Sequence, residues 1–319
     1  MSVYTTVSDT EFSELLNNYA LGDFVSAQGI QAGVENTNYF LTTSKGEYVF
    51  TVFEKISRDE VSFYILLLQQ LHIAGITCPQ PQADRHLQII NELKDKPYTI
   101  VSRLKGKNLT SVNRKQCKAI ATELAKLHIT SLPGIKLTNP LLQNRRGKDW
   151  RYTTALQLQS KLSPDEAGLI SAELESYLPF DDSDLPKGII HADLFPDNAL
   201  FDGDQLSGII DFYDACYDNY LYDVAITVNA WCCNQDGEII EALVDEFLHS
   251  YQQVRPFTIE EKNAWPMMLR MAAMRFWLSR LDDSLSADHL HSRKGVLTLS
   301  KNPVEYRQIL ENHLKSAVY

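Results

Sequence analysis

Hydrophobic and polar positions repeat with two different periods along this chain, and the change falls near residue 106. Ser8 and Glu11 have the spacing of a helix capping box, and Phe12, Leu15, Leu16 and Tyr19 follow on one helical face. The pattern over 24–30, 38–43 and 48–53 is extended, punctuated by Gly33 and by Lys45-Gly46. Ser57 and Glu60 open a second helix that runs to Ala74 and stops at Gly75. Two more strands are expected, near 87–91 and over 98–103. Beyond Gly106 the spacing is helical over 113–128, 150–162, 164–177, 221–231, 237–254 and 259–281. One extended island, 188–212, interrupts these helices. The pattern predicts an α+β chain of two lobes: a small antiparallel β lobe over 1–103 and a larger helical lobe over 104–319. The connection between them falls near 102–106.

The island carries the candidate chemistry. Asp202-Gly203 is a strong hairpin signal between two apolar runs. Folding the hairpin brings Asn198 opposite Asp211 within about one register step, and cross-strand neighbours lie roughly 5 Å apart. An amide oxygen and a carboxylate at one point suit Mg²⁺, a hard cation that completes its shell with substrate phosphates. Asp193 precedes the hairpin, where a carboxylate beside a metal site can accept a proton from an attacking hydroxyl. His191-x-Asp193-x4-Asn198 followed by Asp211 has the spacing of a kinase catalytic loop and its metal-binding Asp. Asp193 is therefore the candidate catalytic base, and Asn198 and Asp211 are the candidate Mg²⁺ ligands on ATP. His191 is expected to hold the loop by packing and hydrogen bonding.

The segment between the first two strands is where a nucleotide-covering loop belongs, and backbone amides there could face phosphates. Gly33, Asn36 and Asn38 are its candidate contacts, although the run is not G-x-G-x-x-G and also fits an ordinary hairpin loop. The third strand lacks a feature of that template: Thr51 stands where a phosphate-holding Lys or Arg is expected. Lys55 starts roughly 13 Å further along, too far for a side chain of about 6 Å. Glu60, the related helix carboxylate, fits equally well as the capping-box acid.

Composition narrows the partners. The 319 residues include 41 acidic and 30 basic side chains, so the net charge of −11 argues against a general nucleic-acid surface. No apolar run approaches the roughly 20 residues of a membrane span. Five cysteines without a CxxC pair point to a reducing compartment, and the N-terminal residues lack the pattern of a signal peptide. A cytoplasmic protein is expected. Cys232 and Cys233 diverge on a helix and read as small apolar residues rather than as a metal site.

The runs HADLFPDN and IIDF, set in a small β lobe plus a helical lobe, resemble those of aminoglycoside-phosphotransferase-like small-molecule kinases. The resemblance covers essentially the whole chain. Within that superfamily GVENTNYFLTT, GEYVFTVFE, LYDVAITVNAWCC and MRFWLSRL are similar to the homoserine kinases of phosphotransferase type. The resemblance implies a protein-kinase-like fold and ATP-dependent phosphorylation of the side-chain hydroxyl of L-homoserine, a step of threonine biosynthesis. It also implies that adenine pairs with backbone groups around Ser102. Homoserine carries a carboxylate and an ammonium, which an Arg and an acid would recognise. Among Arg270, Arg275 and Arg280 the first choice is Arg275, with pairing to a local acid as its alternative. Asp223 either anchors the loop or binds the ammonium. Asn229 and Trp231 are possible pocket walls, and Trp231 fits the core as well. Two further readings keep the same residues. One is a kinase of an aminoglycoside, choline or a methylthio-sugar; the net charge favours a cationic acceptor and an Arg-bearing cleft disfavours one. The other is a nucleotide-binding pseudokinase, motivated by Thr51 and opposed by the presence of Asp193, Asn198 and Asp211.

Overall fold

In a computed structural model, which describes residues 4–30, 36–130, 132, 135–136, 139–291 and 301–316, the alternating segments of the first hundred residues pair as one antiparallel sheet. Its strands are β1 (Phe24–Gly29), β2 (Thr37–Thr43), β3 (Gly46–Val52), β4 (Asn91–Leu93) and β5 (Lys96–Ser102), in the order β1-β2-β3-β5-β4. Thr37, Tyr39, Leu41 and Thr43 alternate inward along β2, as a strand with one buried face must. Helix α1 (Asp9–Leu16) covers that face with Phe12, Leu15 and Leu16, and its capping box from Ser8 and Glu11 is formed.

The strand expected over 87–91 is instead a turn. Asp84 Oδ1 accepts hydrogen bonds from the amides of His86 and Gln88 at 2.8 Å, and Leu87 takes a left-handed φ of 63°. The strand starts only at Asn91, and Lys94 and Asp95, both at positive φ, turn it into β5.

Helix α2 (Arg58–Ile73) serves two cores. Val61 and Ile65 pack with Phe53 beside the sheet, whereas Phe63, Tyr64, Leu67 and Leu71 enter the main hydrophobic core of the helical lobe. That core is built on α3 (Arg114–Ile129), α4 (Lys148–Leu158), α5 (Pro164–Tyr177), α6 (Tyr220–Trp231), α7 (Glu241–Gln252), α8 (Ile259–His291) and α9 (Pro303–Lys315). The island forms β6 (Lys187–Ile190), the hairpin β7 (Ala199–Asp202) and β8 (Gln205–Ile209), and is followed by β9 (Cys216–Asn219), which pairs with β6.

The connection between the lobes docks on this hairpin. Lys107 and Phe201 exchange both backbone hydrogen bonds at 2.9 Å. Gly106, at φ 90°, makes the approach possible: a Cβ there would meet the Phe201 carbonyl oxygen at 2.4 Å. Gly208 plays the same part on β8, with the Thr77 carbonyl oxygen 2.8 Å from its missing Cβ and the Ile209 amide bonded to that oxygen.

Candidate active site

The site is built on the turn between β6 and β7. His191 and Ala192 leave β6, and Ala192 adopts a left-handed φ of 64°. Asp223, wholly buried on the first turn of α6, holds this turn. Its Oδ2 accepts from the His191 amide and its Oδ1 from the Ala192 amide, each at 2.8 Å. His128 Nε2 donates to Asp223 at 3.0 Å, and His128 Nδ1 accepts from Tyr251 at 2.6 Å. Burial pushes the Asp223 carboxyl up, but the His128 bond, its charge and the loop amides outweigh it and hold the carboxyl below its ordinary range. Asp223 is thus sealed beneath the loop, and the ammonium contact considered for it has no route to it.

His191 ties the same turn to β8. Its Nε2 faces the Ile210 carbonyl at 3.0 Å and therefore carries the proton, which leaves Nδ1 to accept from the Asp193 amide at 3.2 Å. Asn198 donates from Nδ2 to the Asp193 carbonyl at 2.8 Å and to Asp193 Oδ2 at 3.0 Å. The Ile210 amide donates to the Asn198 carbonyl at 2.9 Å, so Asp211 lies one residue beyond the position opposite Asn198. Asp211 takes a left-handed φ of 65° as the chain turns out of the hairpin.

The two carboxylates share an electrostatic environment. Asp193 is pushed up to about 6, chiefly by burial, with Arg275 opposing and Asp214 adding to the rise. Asp211 is also pushed up to about 6, by the desolvation its protein surroundings impose and by the Asp193 charge, although its side chain remains open to solvent. A nearby cation would favour the charged form of such a pair, and the oxygens of Asn198 and Asp211 are of the hard kind that suits Mg²⁺. Among the described residues no three His, Cys, Asp or Glu converge as a closed metal cage, which leaves room for phosphate ligands.

Beside Asp193 opens a pocket with about 380 Å³ of free space. Its polar lining includes Asn144, Arg145, Arg146, Asp214 and Arg275, and Tyr64 and Tyr222 also line it. Arg275 comes from α8 and is 3% exposed. Its guanidinium lies 3.8 Å from Asp193 Oδ1 and 3.4 Å from Asp214 Oδ2, with its central carbon 3.7 Å from the centre of the Phe276 ring. The pairing partners are thus cleft acids rather than local ones. Asp214 and Arg145 are residues that sequence reasoning missed. Asp214 lies three residues past Asp211, so proximity in the chain was the available signal. Arg145 joins the cleft only through tertiary folding.

The remaining candidates fall elsewhere. Asn229 and Trp231 do not line the pocket, because both are buried on α6. Asn229 donates to the Leu269 carbonyl at 2.9 Å and faces His313 at 2.8 Å. Trp231 donates to the Leu194 carbonyl at 2.8 Å, and so braces the loop that carries Asp193. Ser102 is not a free sheet edge: its amide donates to Gln80 and its hydroxyl accepts from the Gln80 amide. Its N–H is therefore unable to pair with a base. Asn36 and Asn38 sit at the start of β2. Asn38 Oδ1 accepts from Thr51 at 2.7 Å, so a hydroxyl–amide pair occupies the place of the expected strand cation. Gly33 lies outside the described residues. Glu60 is the capping-box acid of α2 through Ser57, and the cation it meets is not on the third strand but Arg145 of the other lobe, which donates to it at 2.6 Å.

The phosphotransferase enzyme family model matches residues 26–257 of this sequence. The chain belongs to that family. A homoserine kinase from Methylobacillus flagellatus is 42% identical over 98% of this chain and 96% of its own length. One from Neisseria meningitidis serogroup B is 40% identical over 97% and 99%. A spectinomycin phosphotransferase solved with ADP and spectinomycin superposes with a TM-score of 0.67 at 15% identity, covering 96% of this chain and 95% of that one. The two-lobed fold is therefore that of the phosphotransferases, and the pocket beside Asp193 belongs to a phosphotransferase.

Proposed function

We propose that this phosphotransferase transfers the γ-phosphoryl group of ATP to the side-chain hydroxyl of L-homoserine, forming O-phospho-L-homoserine in the cytoplasm. The observation that carries the reading is the charge of the pocket beside Asp193. Three guanidiniums, from Arg145, Arg146 and Arg275, line it; Arg145 is paired with Glu60 and Arg275 with Asp193 and Asp214, and Arg146 makes no ion pair among the described residues, so the lining keeps a surplus of positive charge. A polycationic aminoglycoside or choline would meet repulsion there, whereas a small zwitterion finds an Arg for its carboxylate and Asp214 for its ammonium. The naming of full-length relatives as homoserine kinases supports the same substrate.

In this reading residues 1–103 form the nucleotide lobe and residues 104–319 the catalytic and acceptor lobe. Asp193 orients the substrate hydroxyl and takes its proton, and a carboxyl pushed up to about 6 is better matched to that transfer than an ordinary one. Asn198 and Asp211 would hold Mg²⁺, which when bound neutralises charge on the phosphates. Asn198 also fixes the Asp193 carboxylate through its Nδ2. Gly33, Asn36 and Asn38 are the proposed phosphate contacts, and the base would pair with the backbone just past Ser102. Trp231 and Asp223 are positioning residues beneath the loop, and Asn229 ties α6 to α8 and α9. Catalysis rests on positioning and on charge, with no covalent enzyme intermediate.

The test is ADP release with Mg·ATP and a panel of L-homoserine, L-serine, choline, an aminoglycoside and a methylthio-sugar. Stimulation by L-homoserine above all others is expected. Stimulation by choline or an aminoglycoside instead would discard the pocket reading while keeping the catalytic one. Nucleotide binding with no turnover on any acceptor would mark a pseudokinase.

A further inference from the structure

On the far side of Tyr222 lies a second cavity, with about 600 Å³ of open space, and its polar lining includes Arg151, Asp182, Asp218 and Asn219. Arg151 is 4% exposed. Its guanidinium lies 4.6 Å from the Tyr177 ring and 5.3 Å from that of Tyr222, and it donates to both phenol oxygens. Among the described residues it makes no ion pair, and its Nε has no hydrogen-bonding partner. Asp218 acts on it only through space. Burying a guanidinium without a carboxylate is costly, because the lost hydration is not replaced by a paired charge. A site that keeps such a group is prepared for an anion.

The same cavity offers the complementary half. Asn219 Oδ1 is buried and also has no partner among the described residues. Asp182 and Asp218 stand beside it, both touching the Asn219 amide nitrogen, at 2.7 and 3.2 Å. Phe180, Met268 and Met271 supply an apolar end. An unsatisfied donor on a cation, an unsatisfied acceptor flanked by two acids, and an apolar wall together describe the binding requirements of one ligand class. We propose that this cavity is a second ligand site, for a small zwitterion of α-amino-acid type, separate from the pocket beside Asp193. Tyr222 and the Asn144–Asp218 hydrogen bond of 2.5 Å form the partition between the two. The ligand carboxylate faces Arg151, its ammonium faces Asn219 and the acids, and its side chain lies on the methionines.

Calorimetric titration of the full chain with each of the twenty common L-amino acids, without nucleotide, reads this site directly. At least one should bind. Its Kd should rise by about tenfold or more in Arg151→Met, which removes the anion's partner, and in Met271→Trp, which fills the cavity without altering a charge. Met271→Trp decides the matter if Arg151→Met does not fold. Binding should persist in Arg275→Met. If no amino acid binds, or if binding survives Met271→Trp and disappears in Arg275→Met, the proposal is overturned. The second result would place the ligand in the pocket beside Asp193. The heat of binding needs no turnover, so a failure to phosphorylate homoserine leaves this result standing.

Discussion

Asp193 and Asp211 are the two side chains whose chemistry the surroundings alter most usefully. Replacing Asp193 by Asn keeps the shape and the partner for Asn198 Nδ2 but removes the proton acceptor. Turnover should fall by about 10²–10⁴-fold while ATP affinity, measured by titration, stays nearly unchanged. Asp211→Asn separates stability from function. Asn tolerates the left-handed conformation that residue 211 adopts, so the backbone is preserved. In protein free of nucleotide and metal, the folded state holds the Asp211 proton to about pH 6, whereas the unfolded chain releases it near 3.8. The charged carboxylate therefore costs stability at pH 7.5, and the cost fades as the pH falls through 6. Asp211→Asn should raise the thermal midpoint at pH 7.5, and the gain should vanish by about pH 4. The same variant should lose Mg²⁺-dependent ATP binding. A midpoint lowered at pH 7.5 would contradict this assignment of charge.

At the level of elements, the turn after β6 is held from below by α6. Asp223 accepts from two loop amides and from His128, and Trp231 bonds the Leu194 carbonyl, so the loop is tied at both ends to one helix. An Asn at 223 would present an amide N–H to one of the loop amides. That loses a charge-assisted bond and leaves a buried donor unpaired, at a cost of about 3 kcal/mol. Asp223→Asn should show that loss in denaturant unfolding and a lower kcat with ATP affinity retained. Equal stability would remove Asp223 from the loop's support. The element was only partly readable from the chain. Asp202-Gly203 announced the hairpin, and β7 pairs with β8 as that turn requires. Whether Asp223 faced the cleft or the loop depended on the rotation of α6, which the helix cannot declare because it is buried on nearly every side.

Across the whole molecule the lobes are joined by more than one strand of chain. Glu60 meets Arg145, and Tyr213 packs edge-on against both Phe53 and Tyr64, at ring distances of 6.0 and 5.1 Å. The C-terminal helix α9 closes the other end of the C-lobe, where His313 donates to Asn229 Oδ1. Burial lowers His313 from 6.5 to about 4, so the folded state keeps it neutral. The unfolded chain takes up that proton below pH 6.5, and stability therefore falls as the pH drops from 6.5 toward 4. Asp193 and Asp211 act with the opposite sign in metal-free protein. Relative to the parent chain, His313→Gln should lose stability less steeply across that window, as read by thermal midpoints. An unchanged slope would show that α9 does not sense the proton.

The sequence alone determined the two lobes, the helix caps and the catalytic hairpin, because these depend on period, capping chemistry and turn residues that act over a few positions. It also placed Asp193, Asn198 and Asp211 around one turn, since all three lie within nineteen residues of each other. Helix α9 left a local signal too, with Asn302 capping it and Pro303 at its first position. Tertiary structure decided the rest. It sealed Asp223 and Trp231 under the loop, turned Asn229 toward Leu269 and His313, brought Arg145 to Glu60 across 85 residues, and set Arg275 between Asp193 and Asp214. The reason is physical: a buried polar side chain takes its role from partners distant in the chain, and those partners are specified by how helices rotate and pack rather than by any local pattern.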